Sequence, residues 1–198
     1  LPISENQNLE NYRDFALYFQ DEDNILGTSF MPYLQNVAGL TGVNYRLEPW
    51  TYREDEGCEL GNMFTACVAA DQEPATPILK AHAGDRVMVN IFGAHNEQNQ
   101  MFNMDGHQWR RHLNQKGSDM IDVQQFGGGE YIQAFVNAGG SYSNPGTYLW
   151  LNARTPYQQA GQWGYFKVLP GGDRSILPLG GAAAPKAGKT ASKGAGDD

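Results

Sequence analysis

The stretch Ala83-Gly84-Asp85-Arg86-Val87-Met88-Val89-Asn90-Ile91-Phe92 joins a turn signal to a strongly alternating run. Val87, Val89 and Ile91 are two positions apart, so they share one face of an extended chain. Gly84-Asp85 favours a tight turn, because glycine adopts backbone conformations that other residues avoid. The stretch therefore predicts a half-buried β-strand that the chain enters through a turn.

The same period of two recurs on both sides of this strand. Upstream, Phe15, Leu17 and Phe19 alternate with less apolar residues. Downstream, residues 131–136, 147–151 and 164–169 are short runs rich in β-branched and aromatic residues, separated by glycine and proline. Further strands are predicted at residues 78–79 and around residues 43–47. This pattern predicts an all-β sandwich and does not match a helical bundle or a βαβ unit.

The chain of 198 residues is long enough for one domain with a buried core. We expect a polar N-terminal arm over residues 1–11, a domain over residues 12–170 and a flexible tail over residues 171–198. Within the domain, residues 25–76 lack a regular period and predict a loop-rich insertion. From Gly180 onward no aromatic or large apolar residue occurs, so disorder is expected there. Leu1 in place of methionine suggests a processed chain or a piece of a longer protein.

Charge argues against nucleic acid as a partner, and hydropathy argues against a membrane-spanning helix. The net charge is −8, and binding to phosphate backbones needs clustered lysine and arginine, so nucleic acid is not expected as a partner. No run of 18 apolar residues occurs, so no membrane-spanning helix is predicted.

Cys58 and Cys67 are the only cysteines and are nine positions apart. An even count without a CxxC pattern or a zinc partner favours one disulfide that closes a short loop. Two buried free thiols are the alternative. A disulfide predicts an extracellular or periplasmic location.

Three glycine motifs follow the opening strand, namely Gly106-His107-Gln108-Trp109, Gly146-Thr147-Tyr148 and Gly161-Gln162-Trp163-Gly164. In this order, after the Gly84-Asp85 turn, residues 77–169 resemble a cupredoxin domain of the multicopper oxidases. The resemblance implies a Greek-key β-sandwich, here with a loop-rich N-terminal extension. It also implies a secreted protein, with copper as the cofactor to look for.

The resemblance also locates the positions that hold copper ligands in that family. Gln100, Asn103 and Asp105 stand where the family has histidines before the Gly-His motif. Asn152 stands at the cysteine position, between Leu151 and Ala153 at two further histidine positions. Tyr157 and Gln162 stand at the last histidine and the axial methionine. A type 1 copper centre needs a thiolate and two imidazoles, so no copper is expected at these positions.

Our first hypothesis is therefore a copper-less structural or interaction module with no catalytic residue of its own. Its partners would be other cupredoxin domains or subunits of a multicopper-oxidase-like assembly. The alternative is an oxidoreductase domain with a non-standard copper site formed by His95, Asp105 and His107. Against that alternative, His107 would hydrogen-bond its own loop while His95 and His112 face solvent. His82, beside a turn, is expected at the surface.

A third hypothesis is a β-sandwich that binds carbohydrate or matrix. A platform could be built by the ten tyrosines together with the four tryptophans, Trp50, Trp109, Trp150 and Trp163. Trp109, Trp150 and Trp163, however, fall in the framework motifs of the resemblance, where core packing is expected. Separately, the amide-rich residues 96–103 could join Gln158, Gln159 and Gln162 at one end of the sandwich. An uncharged hydrogen-bonding surface of that kind suits a protein interface.

Overall fold

A computed structural model describes residues 11–21, 41–65, 73–96 and 98–179. In these residues the strands are β1 (Arg13–Asp21), β2 (Thr41–Val43), β3 (Leu79–His82), β4 (Arg86–Asn96), β5 (Gln100–Met104), β6 (Trp109–Arg110), β7 (Met120–Ile121), β8 (Val123–Phe126), β9 (Tyr131–Asn137), β10 (Gly146–Asn152) and β11 (Trp163–Leu169). The helices are α1 (Trp50–Asp55) and α2 (Thr155–Gln159), with single 3-10 turns at Leu60–Asn62 and Gly140–Tyr142.

The strands form two main sheets. The first sheet has the order β2-β1-β4-β9, and the second has the order β3-β11-β10-β5-β8. Strands β1 and β4 run parallel, as do β3 and β11, while the other neighbours run antiparallel. Strands β6 and β7 form a separate small ribbon. The prediction of an all-β sandwich is confirmed.

The alternating side chains of β1 and β4 form the centre of the core. Leu17 and Phe19 in β1 are fully buried, as are Val87, Val89 and Ile91 in β4. Phe19 makes edge-to-face contacts with aromatic rings of the second sheet, and these rings are Phe102, Phe126 and Trp150. Such contacts add to the free energy gained by burying the rings. The period of two thus identified the buried face of both strands.

The described part of the predicted insertion covers the outer face of the second sheet. Trp163 in β11 donates from Nε1 to the carbonyl oxygen of Glu48 at 2.9 Å. The Arg53 guanidinium of α1 lies 5.1 Å from the centre of the Trp163 ring. Tyr165 donates from its hydroxyl to the carbonyl oxygen of Phe64 at 2.8 Å. Strand β11 is therefore buried on both sides, and residues 48–64 act as a third layer over it.

The strand predicted around residues 43–47 was wrong in its bounds. Strand β2 ends at Val43, and the chain then reverses at Asn44 and Tyr45, whose φ angles are 53° and 61°. The Asn44 side chain stabilises this left-handed turn, because it accepts from the Tyr18 N–H at 2.7 Å and donates to the Ala16 carbonyl oxygen at 3.0 Å. Helices α1 and α2 were not predicted, because elements this short show no helical period.

The expectation of a surface position for His82 was also wrong, since this residue is 6% exposed. Its Nδ1 accepts a hydrogen bond from Arg13 at 3.1 Å, because a guanidinium can only donate. Its Nε2 donates to the carbonyl oxygen of Asp173 at 2.8 Å. Arg13 also donates to the carbonyl oxygen of Leu177 at 2.6 Å. The C-terminal end of the described chain covers the histidine.

Several expectations fall on residues outside the described ranges. These include residues 1–10 of the predicted arm and the tail from residue 180 onward. Cys58 is buried, but Cys67 lies outside the described residues, so the disulfide stays a prediction. Among the described helices, none has the length and apolar character needed to cross a bilayer.

We expect Arg53→Ala to lower the free energy of unfolding by about 3–5 kcal/mol, because it leaves the carboxylate of Glu48 buried without its cation. Arg53 also donates to the carbonyl oxygen of Thr65 at 2.5 Å, and that bond is lost as well. Chemical denaturation measures the change. Arg174→Ala, at an exposed position, is the control and should change stability by less than about 0.5 kcal/mol. Equal effects of the two substitutions would contradict the role of Arg53.

Candidate functional site

Three buried amide side chains converge at one end of the sandwich. Gln100 begins β5, Asn152 ends β10, and Gln162 directly precedes β11. All three side chains are fully buried. The backbone brings them together, since Asn152 pairs with Phe102 of β5 and its N–H donates to the carbonyl oxygen of Gln162 at 2.9 Å. We call these three residues the amide cluster.

Every side-chain N–H of the amide cluster is used. The Nδ2 of Asn152 donates to the Oε1 of Gln100 and to the Oε1 of Gln162, the latter at 2.6 Å. The Nε2 of Gln162 donates to the carbonyl oxygen of Gln20 at 2.9 Å and to Oγ1 of Thr41 at 2.7 Å. Because a side-chain amide has two donor hydrogens, the donors of Asn152 and Gln162 are both fully satisfied.

The remaining donor of the cluster reaches a buried carboxylate. The Nε2 of Gln100 donates to Oδ2 of Asp21 at 2.9 Å and to the carbonyl oxygen of Gln98 at 3.0 Å. The orientation of Asn152 is also determined, because its Oδ1 accepts from the N–H groups of Met101 at 3.2 Å and Arg154 at 3.0 Å. The amide cluster is therefore a closed network with its donors and acceptors in defined places.

Tyr157 joins the network through Asp21. Its hydroxyl donates to Oδ2 of Asp21 at 2.8 Å, and the same oxygen accepts from the N–H of Gln98 at 3.3 Å. Burial raises the pKa of Tyr157 to about 12, and the hydrogen bond and charge of Asp21 act in the same direction. The guanidinium of Arg154 lies 4.9 Å from the centre of the Tyr157 ring and partly opposes this rise.

Four of the positions at which the resemblance placed copper ligands are brought together. Gln100 and Gln162 contact Asn152 directly, and Tyr157 is linked through Asp21. The residues themselves do not suit copper, since they offer amides and a phenol in place of a thiolate and imidazoles. The amide nitrogens that face one another are already donating. No group of three potential metal-binding histidine, cysteine or acidic residues occurs among the described residues.

Sequence reasoning missed two members of the network, Asp21 and Thr41. In the sequence, Asp21 comes two positions after Phe19, in phase with the alternating run of Phe15, Leu17 and Phe19. In the structure it is the last residue of β1 and is 3% exposed. An acidic residue that continues the buried face of a strand was the available signal, whereas nothing in the sequence pointed to Thr41.

His107 lies at the other end of the sandwich and is 1% exposed. Its Nε2 accepts from the N–H of Gly139 at 3.0 Å, so the proton of the neutral ring is on Nδ1, which donates to the carbonyl oxygen of Asp105 at 2.7 Å. Burial lowers the pKa of His107, against the opposing effects of the hydrogen bond and charge of Asp105. The hypothesis that His107 hydrogen-bonds its own loop is confirmed.

The structure does not bring His95 and His107 together. His95 is nine positions along β4 from Arg86, which corresponds to about 30 Å of strand. His107 contacts Gly139, and the neighbouring Ala138 donates to the carbonyl oxygen of Asp85, next to the start of β4. The side chain of His95 lies outside the described part of the structure. The strand length alone separates the backbone positions of the two histidines.

Three of the four tryptophans belong to the core. Trp109, Trp150 and Trp163 are fully buried, in agreement with the expectation of core packing. Trp50 packs edge-on against Phe64, with ring centres 5.6 Å apart. These residues therefore do not form a shared exposed platform. The predicted amide surface is only partly present, because Gln100 and Gln162 are buried inside the network.

Comparison with known proteins supports the fold. No family model and no curated protein matches the chain. Among solved structures, it is similar to a copper nitrite reductase from Nitrosomonas europaea, with a TM-score of 0.55 and 12% identity over 83% of this chain and 52% of that one. It is also similar to a multicopper oxidase from Campylobacter jejuni, described as a metallo-oxidase, with a TM-score of 0.52 and 12% identity over 85% of this chain and 32% of that one. The chain thus spans about a third to a half of these relatives, and the likeness shows a cupredoxin-like fold.

We expect Asn152→Ala to lower the free energy of unfolding by at least about 2 kcal/mol. It leaves the buried Oε1 atoms of Gln100 and Gln162 without a donor and two backbone N–H groups without an acceptor. Asn103→Ala is the matched control, since the Asn103 side chain is only partly buried and donates to one carbonyl oxygen, that of Asp122. Denaturant titration compares the two. A change below about 0.5 kcal/mol for Asn152→Ala would rule out a structural role for the cluster.

In an ultraviolet pH titration of the folded protein, we expect Tyr157 to ionise only at high pH, with a pKa of about 12. Its pKa is raised above the unfolded value of about 10, so its contribution to stability is complete below pH 10. That contribution is lost as the pH rises from about 10 to about 12. The late transition should disappear in Tyr157→Phe and shift to lower pH in Asp21→Asn. A wild-type chain whose tyrosines all ionise near pH 10 while folded would contradict the buried hydrogen bond.

Proposed function

We propose that this chain is a copper-less cupredoxin-type module with a structural or interaction role in a secreted multicopper-oxidase-like protein or complex. The closed hydrogen-bond network of the amide cluster carries the proposal. In the resemblance, its positions correspond to those of a thiolate, an imidazole and a thioether. In this chain the side chains at these positions are hydrogen-bonded to one another, so they leave no free set of donor atoms for a metal ion.

The network gives the site a mechanical role. It connects β1 through Asp21, β2 through Thr41, β5 through Gln100 and β10 through Asn152. A metal ion can tie such strand ends together by coordination, and here amide hydrogen bonds do so. None of the side chains that form the cluster exchanges electrons readily, and Tyr157 keeps its proton up to about pH 12. The site is thus suited to hold the shape of the domain, and oxidation of a substrate would fall to another domain.

The comparisons support a partner of the same class. The similar proteins are described as multicopper oxidases and copper nitrite reductases, and this chain spans at most about half of each. We therefore propose other cupredoxin domains or subunits as partners, with copper bound in them. An extracellular or periplasmic location fits this role, and the predicted Cys58–Cys67 disulfide supports it.

Metal analysis tests the copper-less state. We expect the purified chain, after incubation with Cu(II) and gel filtration, to hold less than about 0.1 copper per chain, since no type 1 donor set is present. The fourfold variant Gln100→His, Asn152→Cys, Tyr157→His and Gln162→Met should instead retain copper, with the intense visible absorption of a copper–thiolate bond. Stoichiometric copper in the wild-type chain, lost in Asn152→Ala, would refute the proposal.

Native mass spectrometry tests the partner. The tagged chain, isolated from its source under gentle conditions, should be found in a complex with a copper-bearing cupredoxin protein or as part of a larger copper-bearing chain. The copper should remain with the partner when the complex is dissociated. The interaction role would be refuted if the chain were recovered only as a free monomer while the copper-bearing protein kept its full oxidase activity in separate fractions.

A further inference from the structure

A cavity of about 570 Å³ lies beyond the edge strand of the first sheet. One wall is formed by Tyr131 and Gln133 of β9, and the other by the loop after β6, which contributes Arg111, His112 and Gln115. Its volume falls within the range of about 300–1,000 Å³ that is common for small-molecule sites. The cavity lies next to the sheet edge and is open to solvent. It shares no residue with the amide cluster.

Tyr131 presents an aromatic ring that is already held in place. One face of the ring stacks on Phe92 at 4.8 Å, and Phe92 stacks on Tyr18 at 4.6 Å. The hydroxyl of Tyr131 donates to Oδ1 of Asn90 at 2.5 Å. Strand β9 is at the edge of its sheet, and Tyr131 lines the cavity and is 48% exposed. Little rotamer entropy remains to be lost when a ligand packs on this ring.

Polar groups surround this aromatic face. Gln133 donates from Nε2 to Oδ1 of Asn90 at 3.1 Å, which directs its amide and leaves Oε1 as an acceptor. Asn114 and Gln115 are exposed and add further amides. Amides offer donors and acceptors side by side, which is the pattern that sugar hydroxyl groups match. An aromatic face with nearby amides is therefore suited to a sugar ring.

The loop also supplies positive charge within an acidic protein. The chain has a net charge of −8, whereas the loop places Arg111 and His112 next to each other at the cavity. The loop is tied back by its backbone, because the Arg111 N–H donates to the carbonyl oxygen of Asp119 at 3.0 Å and the His112 N–H donates to Oγ of Ser118 at 2.9 Å. Within the described residues, the Arg111 guanidinium has no hydrogen-bond partner. Guanidinium groups bind carboxylates through two parallel hydrogen bonds.

We propose that this cavity binds a hexuronate unit of an acidic oligosaccharide. The sugar ring packs on the free face of Tyr131, its hydroxyl groups bond to Gln133 and Gln115, and its carboxylate pairs with Arg111. An extended peptide fits less well, because the cavity lining is mostly polar. This inference does not depend on the role proposed for the amide cluster, since the two sites share no residue.

Titration calorimetry with the complete chain tests the inference. The probe is a trimer of α-1,4-linked galacturonate, and maltotriose is its neutral counterpart with the same linkage. We expect the acidic trimer to bind at least about tenfold more tightly than maltotriose, and raised salt to weaken it. Tyr131→Ala and Arg111→Gln should each weaken binding of the acidic trimer at least about tenfold, a change of about 1.4 kcal/mol.

Matched controls separate the site from general effects. Tyr142→Ala removes a tyrosine that is 87% exposed elsewhere, and Arg174→Gln removes an exposed arginine, so both should bind within about twofold of the wild type. Thermal unfolding confirms that each variant is folded. No binding of the galacturonate trimer to the wild type would overturn the proposal. Equal binding of maltotriose, or binding that Tyr131→Ala and Arg111→Gln leave unchanged, would overturn it as well.

Discussion

Asn152 donates hydrogen bonds to two buried glutamine side chains, and the end of the sandwich depends on this arrangement. A buried amide without partners costs free energy, so the cluster stabilises the fold only when it is complete. Completion requires Asp21 from β1, Thr41 from β2 and a backbone carbonyl from Gln98. The network therefore links both sheets, and it does so at positions where the sequence resemblance places copper ligands.

The opposite end of the sandwich is closed in a similar way. His107 bridges the Asp105 carbonyl oxygen and the Gly139 N–H, and burial lowers its pKa. Nearby, His82 and Arg13 hold the chain after β11 against the first sheet. Buried histidines act here as hydrogen-bonding groups within the framework. At both ends, hydrogen bonds between buried side chains and the backbone hold the two sheets of the sandwich together.

The outer faces of the two sheets differ, and this difference bears on function. Residues 48–64 cover the second sheet, with Arg53 and Glu48 buried against Trp163. The outer face of the first sheet carries the stacked rings of Tyr18, Phe92 and Tyr131, which are partly exposed. Within the part of the chain that the structure describes, the first sheet therefore keeps an exposed outer face next to the cavity, whereas the second sheet does not.

Period-two patterns in the sequence predicted β1, β4, β9, β10 and β11 and the buried faces of β1 and β4, because that alternation is local. They did not predict the short strands β5, β6, β7 and β8. The resemblance implied ligand positions at Gln100, Asn152, Tyr157 and Gln162, and the structure brings these four residues together. The sequence did not predict the partners that complete the site, because the hydrogen bond from Gln162 to Thr41 joins residues 121 positions apart. The burial of His82 and Arg53 likewise follows from chain segments that fold over them. Such tertiary contacts depend on which distant segments pack against each other, and a local sequence pattern carries no information on that packing.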